Sequence, residues 1–224
     1  MGEILRLTAA DGHEFDAYKA TPANPPKGGV VVVQEIFGVN NHIRGVCDRY
    51  AAAGYLAIAP AIFDRVERDV EIGYTQDDIA RGRELRGQCD TDAAIADIAA
   101  AADEAASAGK VGIVGYCWGG QLVYIAACRL GDKLTAASGY YGGNIKAFLS
   151  EKPVVPLNLH FGTQDTSIPM DEVELIGKTH PGIEIYTYEG AGHGFNCDQR
   201  QQYDAKAAKL AEQRTLAFFA EHIG

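Results

Sequence analysis

Residues 111–120 read Val-Gly-Ile-Val-Gly-Tyr-Cys-Trp-Gly-Gly, an apolar run that stops on a cysteine with a glycine two positions to either side. No other stretch of the chain restricts its possible folds as tightly. A residue at a sharp strand-to-helix turn takes a strained backbone. Its neighbours two positions away must lack side chains if strand and helix are to close on each other. Gly115 and Gly119 meet that need, and Gly120 eases the approach of the helix expected over residues 121–130. Cys117 is thereby expected at a helix N-terminus, where unpaired amides and the helix dipole favour negative charge. The pentapeptide alone leaves open a buried cysteine beside a glycine-rich turn.

The rest of the chain fits a domain built around such a turn. With 224 residues and 47% hydrophobic content, the chain is expected to form a single domain over residues 1–224 with a full core. Its net charge of −10 argues against nucleic acid and anionic membrane surfaces as partners, and requires local arginines to capture any anionic ligand. The first residues carry no basic segment followed by an apolar core, so no signal peptide is expected, and no apolar run approaches membrane-spanning length. Five cysteines, at 47, 89, 117, 128 and 197, form no CxxC pair. An odd, scattered set reads as free thiols in a reducing cytoplasm. Cys47, Cys89 and Cys128 sit in apolar helical contexts, as small core residues do.

Residues 4–8 and 15–20 flank the turn dipeptide Asp11-Gly12 and predict an N-terminal hairpin. Residues 30–33 are four consecutive valines, a strand buried on both faces of a parallel sheet. A helix over 42–53, a strand over 55–59 and a polar loop with one exposed helix over 64–88 follow. An alanine-rich helix over 93–108 leads into the strand over 111–115. Further strands are expected over 134–139, 154–161 and 183–188, and a terminal helix over 203–222. This alternation predicts an α/β fold: a mainly parallel central sheet with helices on both faces and the hairpin at its N-terminal end. Ligands of such sheets bind beyond the carboxyl ends of the strands, so the chemistry belongs to the loops that follow them.

Three such loops carry the right groups. The strand over 154–161 runs into Gly162-Thr-Gln-Asp165, and the strand over 183–188 into Glu189-Gly-Ala-Gly192-His193-Gly-Phe195. The order cysteine, aspartate, histidine suits a nucleophile, an acid that orients the imidazole, and a histidine that carries the proton. Asp165 as a helix cap ahead of Pro169 and His193 as a turn residue remain the alternatives at this point. His160 lies within an apolar strand as a core residue. His13, His42, His180 and His222 fall at turns or helix surfaces with no acidic partner suggested. No metal-ligand spacing appears, so neither a metal nor another cofactor is expected. The valine strand ends in Gln34-Glu35-Ile36-Phe37-Gly38-Val39-Asn40, which sets the carboxylate of Glu35 at a strand end, where this segment alone favours a solvated loop glutamate.

Together, residues 34–40, 114–120, 139–142, 162–165 and 188–195 resemble the dienelactone hydrolase (carboxymethylenebutenolidase) family of the α/β-hydrolase superfamily. The closing Glu212-Gln-Arg-Thr-Leu-Ala-Phe-Phe is similar too. Gly-Tyr-Cys-Trp-Gly corresponds to that superfamily's nucleophile elbow, with cysteine in the serine position. The resemblance implies the α/β-hydrolase fold, Cys117 as nucleophile, and Asp165 and His193 completing a triad. It implies an oxyanion hole made by the backbone N–H groups of Ile36 and Trp118. It also implies that Glu35 contacts the thiol and helps to deprotonate it when substrate arrives.

A thiolate is a good leaving group, so a cysteine nucleophile suits esters and lactones whose departing oxygen is stabilised, rather than amides. The family's substrates carry a carboxylate held by arginines. The arginine expected shortly after the histidine is absent, with Arg200 a few residues later, and Arg81, Arg83 and Arg86 are candidates for the other. Arg81 with Phe37, Tyr140 and Phe195 are the expected substrate-binding residues. The expectation is a cytoplasmic, cofactor-free hydrolase of small activated esters or lactones through a thioester, monomeric or weakly self-associating. Alternatives are a broad small-ester carboxylesterase, or a non-catalytic ligand-binding or thiol redox protein on the same fold.

Overall fold

The computed structural model describes residues 2–224. Eight strands form one sheet in the order β1-β2-β4-β3-β5-β6-β7-β8. β1 (Glu3–Thr8) and β2 (Glu14–Ala20) make the antiparallel hairpin, and β2 lies antiparallel to β4 (Leu56–Pro60). From β4 onward every pairing is parallel, through β3 (Gly29–Val33), β5 (Val111–Tyr116), β6 (Ala136–Tyr140), β7 (Leu157–Gly162) and β8 (Glu184–Tyr188). Helices cover both faces, in the α/β arrangement that the alternation predicts.

The sheet interior explains the uninterrupted apolar runs. All five residues of β3 are buried, and each valine withdrawn from water contributes roughly 1.5–3 kcal/mol. α1 (Asn41–Ala52) packs on β4 and starts at Asn40, whose side chain accepts from the Ile43 N–H. α2 (Gln76–Gln88) is the exposed helix of the polar segment and opens with a reciprocal cap between Thr75 and Asp78. α3 (Thr91–Ala105) is capped by Asp90 and packs on β3 and β4. α4 (Trp118–Arg129) follows β5 directly, and α6 (Ala205–His222) closes over β6.

The last part of the chain shows the two largest departures from expectation. β7 begins at Leu157 rather than at residue 154, because Pro156 offers no ladder N–H and Val154 is left exposed. α5 (Met170–Thr179), an amphipathic helix burying Val173 and Ile176, follows Pro169 in a segment where the sequence predicts no helix. The register then sets the site. Val33 lies opposite Gly115, Tyr116 opposite Tyr140 and Gly162 opposite Tyr188. The strand ends that precede Glu35, Cys117, Tyr141, Asp165 and His193 therefore share one edge of the sheet.

Candidate active site

Cys117 is the turn between β5 and α4, with φ of 56° and ψ of −116°, a left-handed conformation that L residues adopt at a cost. The flanking glycines are explained by approach. A Cβ on Gly115 would stand 2.3 Å from the Gly119 carbonyl oxygen, and one on Gly119 would stand 2.5 Å from the carbonyl oxygens of Val33 and Gln34. Those obstacles are backbone and cannot swing aside. Gly119→Ala should therefore destabilise the protein by about 1–3 kcal/mol, read as a lower urea midpoint at unchanged slope.

The structure brings Cys117, His193 and Asp165 into one hydrogen-bonded line. Cys117 Sγ lies 3.2 Å from His193 Nε2, and His193 Nδ1 lies 2.8 Å from Asp165 Oδ2. The Asp165 side chain is fully buried, and its other oxygen accepts the Ser167 N–H at 2.8 Å, so the carboxylate cannot rotate away without breaking the turn. Burial works against a charged imidazole at His193. The Cys117 sulfur and the Asp165 carboxylate outweigh it and push the group up to about 10. His160, by contrast, is buried without a counter-charge and is pushed down to about 3, a neutral core residue that bonds Tyr188, Asn158 and Thr215.

The line opens on a cavity of about 470 Å³ whose wall includes Ile36, Phe37, Cys117, Trp118 and His193. Trp118 begins α4, so its N–H has no acceptor within the helix. The Ile36 N–H finds no backbone acceptor among the described residues, and both residues expected to form an oxyanion hole line the cavity. Glu35 is buried at the end of β3, but among the described residues it makes no hydrogen bond to Cys117. Its Oε1 faces Arg200 Nη1 at 3.4 Å, and the sulfur is engaged by His193 instead. The thiol–carboxylate contact that the family resemblance implies is absent in this conformation.

Several expected ligand contacts are placed differently. Arg81 pairs with Glu67 and Glu84 and does not line the cavity. Ile79, Arg83 and Arg86 do line it, because positions i, i+4 and i+7 of α2 share a face while position 81 points elsewhere. Arg200, a few residues after His193, also lines the cavity, and its guanidinium lies 5.6 Å from the Phe37 ring centre. The wall thus holds three arginines and, among the described residues, no carboxylate, although the chain carries a net charge of −10.

Phe37 lies on the wall as expected. Tyr140 does not: its hydroxyl is buried against Thr215 at 2.7 Å, because it belongs to β6 and points into the core. Phe195 is likewise buried, edge-on to the Tyr141 ring and tilted against that of Tyr188. The neighbouring Tyr141, not among the expected substrate-binding residues, sits edge-on to the His193 ring at 5.2 Å with φ of 36°. Its position one residue past β6 is the only sequence signal that separates it from Tyr140. His42 also departs from expectation. It is buried in α1, and its Nδ1 lies 3.1 Å from Asp198 Oδ1.

Comparison with known proteins agrees with this arrangement. The model of the dienelactone hydrolase family matches residues 15–223. The chain belongs to that family. A carboxymethylenebutenolidase of Pseudomonas putida is 34% identical over 229 residues, covering 97% of this chain and 96% of the relative. A Synechocystis protein, provisionally named carboxymethylenebutenolidase, is 40% identical over 213 residues, 87% of this chain and 86% of the relative. Among solved structures, one from Klebsiella pneumoniae, provisionally named a dienelactone hydrolase, superposes with a TM-score of 0.83 at 33% identity, covering 98% of this chain and 99% of that one. No helix among the described residues is long and apolar enough to cross a membrane.

Proposed function

We propose that this dienelactone hydrolase family member hydrolyses activated esters or lactones by a Cys117–His193–Asp165 triad through a thioester. The observation that carries the reading is the unbroken line of hydrogen bonds, at 3.2 and 2.8 Å, ending on a cysteine in a strained strand-to-helix turn beside the cavity. The thiol proton passes to His193 Nε2, with Glu35 assisting once substrate has released it from Arg200, and the sulfur forms a bond to the carbonyl carbon. The carbonyl oxygen becomes an oxyanion that the Ile36 and Trp118 N–H groups stabilise. Collapse breaks the bond to the leaving oxygen, which receives the proton from the imidazolium. Water then attacks the thioester with His193 as base, the carbon–sulfur bond breaks, and the acid and free thiol are restored.

Sulfur departs more readily than an unactivated alkoxide, so the thioester accumulates only when the leaving oxygen is stabilised, as in enol esters and conjugated lactones. The arginine wall favours substrates that also carry a carboxylate. A screen of activated esters and unsaturated lactones, with and without a carboxylate, tests the reading. Turnover that depends on Cys117 is the expected result.

Glu35 supplies the link between binding and activation in this reading. Arg200 holds it at 3.4 Å and also lines the cavity, so an anionic substrate that takes Arg200 frees the carboxylate to act on the thiol. Glu35→Gln keeps the shape and removes the acceptor. Its kcat/KM should fall by at least about 10²-fold, the lower end of general-base contributions. In the free enzyme the same variant should be alkylated faster by iodoacetamide at a given pH, because a negative charge near the sulfur is gone. Unchanged turnover together with unchanged alkylation would reduce Glu35 to an ion-pair partner of Arg200.

A further inference from the structure

Glu35 has a second set of neighbours that hydrolysis does not use. His42 in α1 and Cys197 in the loop after β8 are both buried, and one donor atom from each of the three residues lies within 4.8 Å of the others. Two of these groups carry unanswered polar atoms: Glu35 Oε2 and His42 Nε2 have no hydrogen-bond partner among the described residues. Buried polar atoms are rarely left so, and two of them in one cluster with a buried thiol call for a reason. Asp198 adds the third observation. Its Oδ1 lies 3.1 Å from His42 Nδ1, which places the ring proton there and leaves the Nε2 lone pair facing inward. A carboxylate behind a histidine in this way is the usual support of a metal-bound imidazole.

We propose that Glu35, His42 and Cys197 form a binding site for a thiophilic divalent cation of the zinc type, with Asp198 as the outer partner. Carboxylate oxygen, imidazole nitrogen and thiolate sulfur are a donor set that Zn²⁺ takes and Mg²⁺ and Ca²⁺ do not. Donors around a four-coordinate zinc, at bond lengths of about 2.0–2.3 Å, stand roughly 3.3–3.6 Å apart. The three donor atoms lie within 4.8 Å of one another, the neighbourhood that such a site requires. The charges also match. As the sulfur–metal bond forms, the thiol proton passes to solvent, and a dication meets one carboxylate and one thiolate, while Arg200 and Asp198 offset each other. Glu35 Oε1 keeps its contact with Arg200, and Oε2 is the oxygen left for the ion. Asp198 is half exposed and borders a surface cavity of about 240 Å³ with Asn196 and Tyr203, separate from the substrate cavity. Occupancy would tie the loop after β3, the start of α1 and the loop after β8 to one another. The inference rests on this donor set and stands whether or not the hydrolytic reading holds; an ion on Glu35 would hold that carboxylate away from Cys117, so an occupied site and the activation proposed for Glu35 exclude each other.

Cobalt(II) titration tests it, in a Cys117→Ala background so that the other cysteine–histidine pair offers no thiolate. One equivalent of Co²⁺ should bind and give a thiolate-to-cobalt charge-transfer band that Zn²⁺ bleaches, and Zn²⁺ should raise the melting temperature. Adding Cys197→Ser should abolish the band. Asp198→Asn should weaken affinity by about 10–100-fold. His42→Asn, which leaves every thiol beside the site in place, should weaken it at least as much and decides the matter if the serine variant fails to fold. A band that survives without Cys197, affinity unmoved by His42→Asn, or no Co²⁺ or Zn²⁺ binding in the Cys117→Ala protein would overturn the proposal.

Discussion

Cys117→Ala is expected to remain folded and to lose on the order of 10⁴–10⁶ in kcat on activated esters, the scale of loss when a covalent nucleophile is removed from a triad. The fold should survive because alanine keeps the Cβ that the turn already accommodates at φ of 56°, and Gly115 and Gly119 still allow strand and helix to close. Chemical labelling should point to the same residue. Burial pushes the other four thiols up: Cys89 to about 11, Cys128 and Cys197 to about 12, and Cys47 further still. At neutral pH those four carry almost no thiolate, so iodoacetamide should mark Cys117 first, and substrate should protect it. Mass spectrometry of a briefly alkylated sample reads the outcome. Near-normal turnover by the alanine variant would remove the thioester from the mechanism.

The strand alternation was legible because a doubly covered parallel sheet writes itself into sequence as short apolar runs, as in Val30–Val33 flanked by Gly29 and Gln34. The turn at Cys117 was legible for a different reason. Backbone sits within 2.5 Å of where the Gly115 and Gly119 Cβ atoms would stand, and only glycine permits that. What local pattern does not carry is the far side of a contact. Arg81 and Arg83 read alike along the chain, yet two residues on a helix turn about 200° and only Arg83 meets the cavity. Tyr140 and Tyr141 are adjacent letters on opposite sides of a strand end, one bonded to Thr215 and one against His193. The His42–Asp198 pair joins residues 156 positions apart, so no spacing rule could have proposed it. Arg200 reaches Glu35 for the same reason, through a loop whose path the sequence does not reveal.

Asp165→Asn separates the triad from the turn, because the two roles of this side chain use different oxygens. Oδ1 accepts the Ser167 N–H, and an asparagine carbonyl keeps that bond and the turn with it. Oδ2 faces His193 Nδ1 at 2.8 Å, where an amide –NH₂ would present a donor to a donor. The imidazole then favours the other tautomer, with its proton on Nε2 pointing at the Cys117 sulfur and no lone pair left to take the thiol proton. In serine proteases the equivalent exchange costs on the order of 10⁴ in kcat, and a loss of that size is expected here with melting temperature little changed. The pH behaviour has a definite sign. His193 is held up at about 10 against its burial by the sulfur and by this carboxylate, so neutralising the carboxylate lowers the value and the imidazolium deprotonates earlier as pH rises. NMR titration of carbon-13-labelled histidine in the two proteins measures that shift directly. A variant that turns over within tenfold of the parent, with His193 titrating where it did before, would leave Asp165 as a turn residue and nothing more.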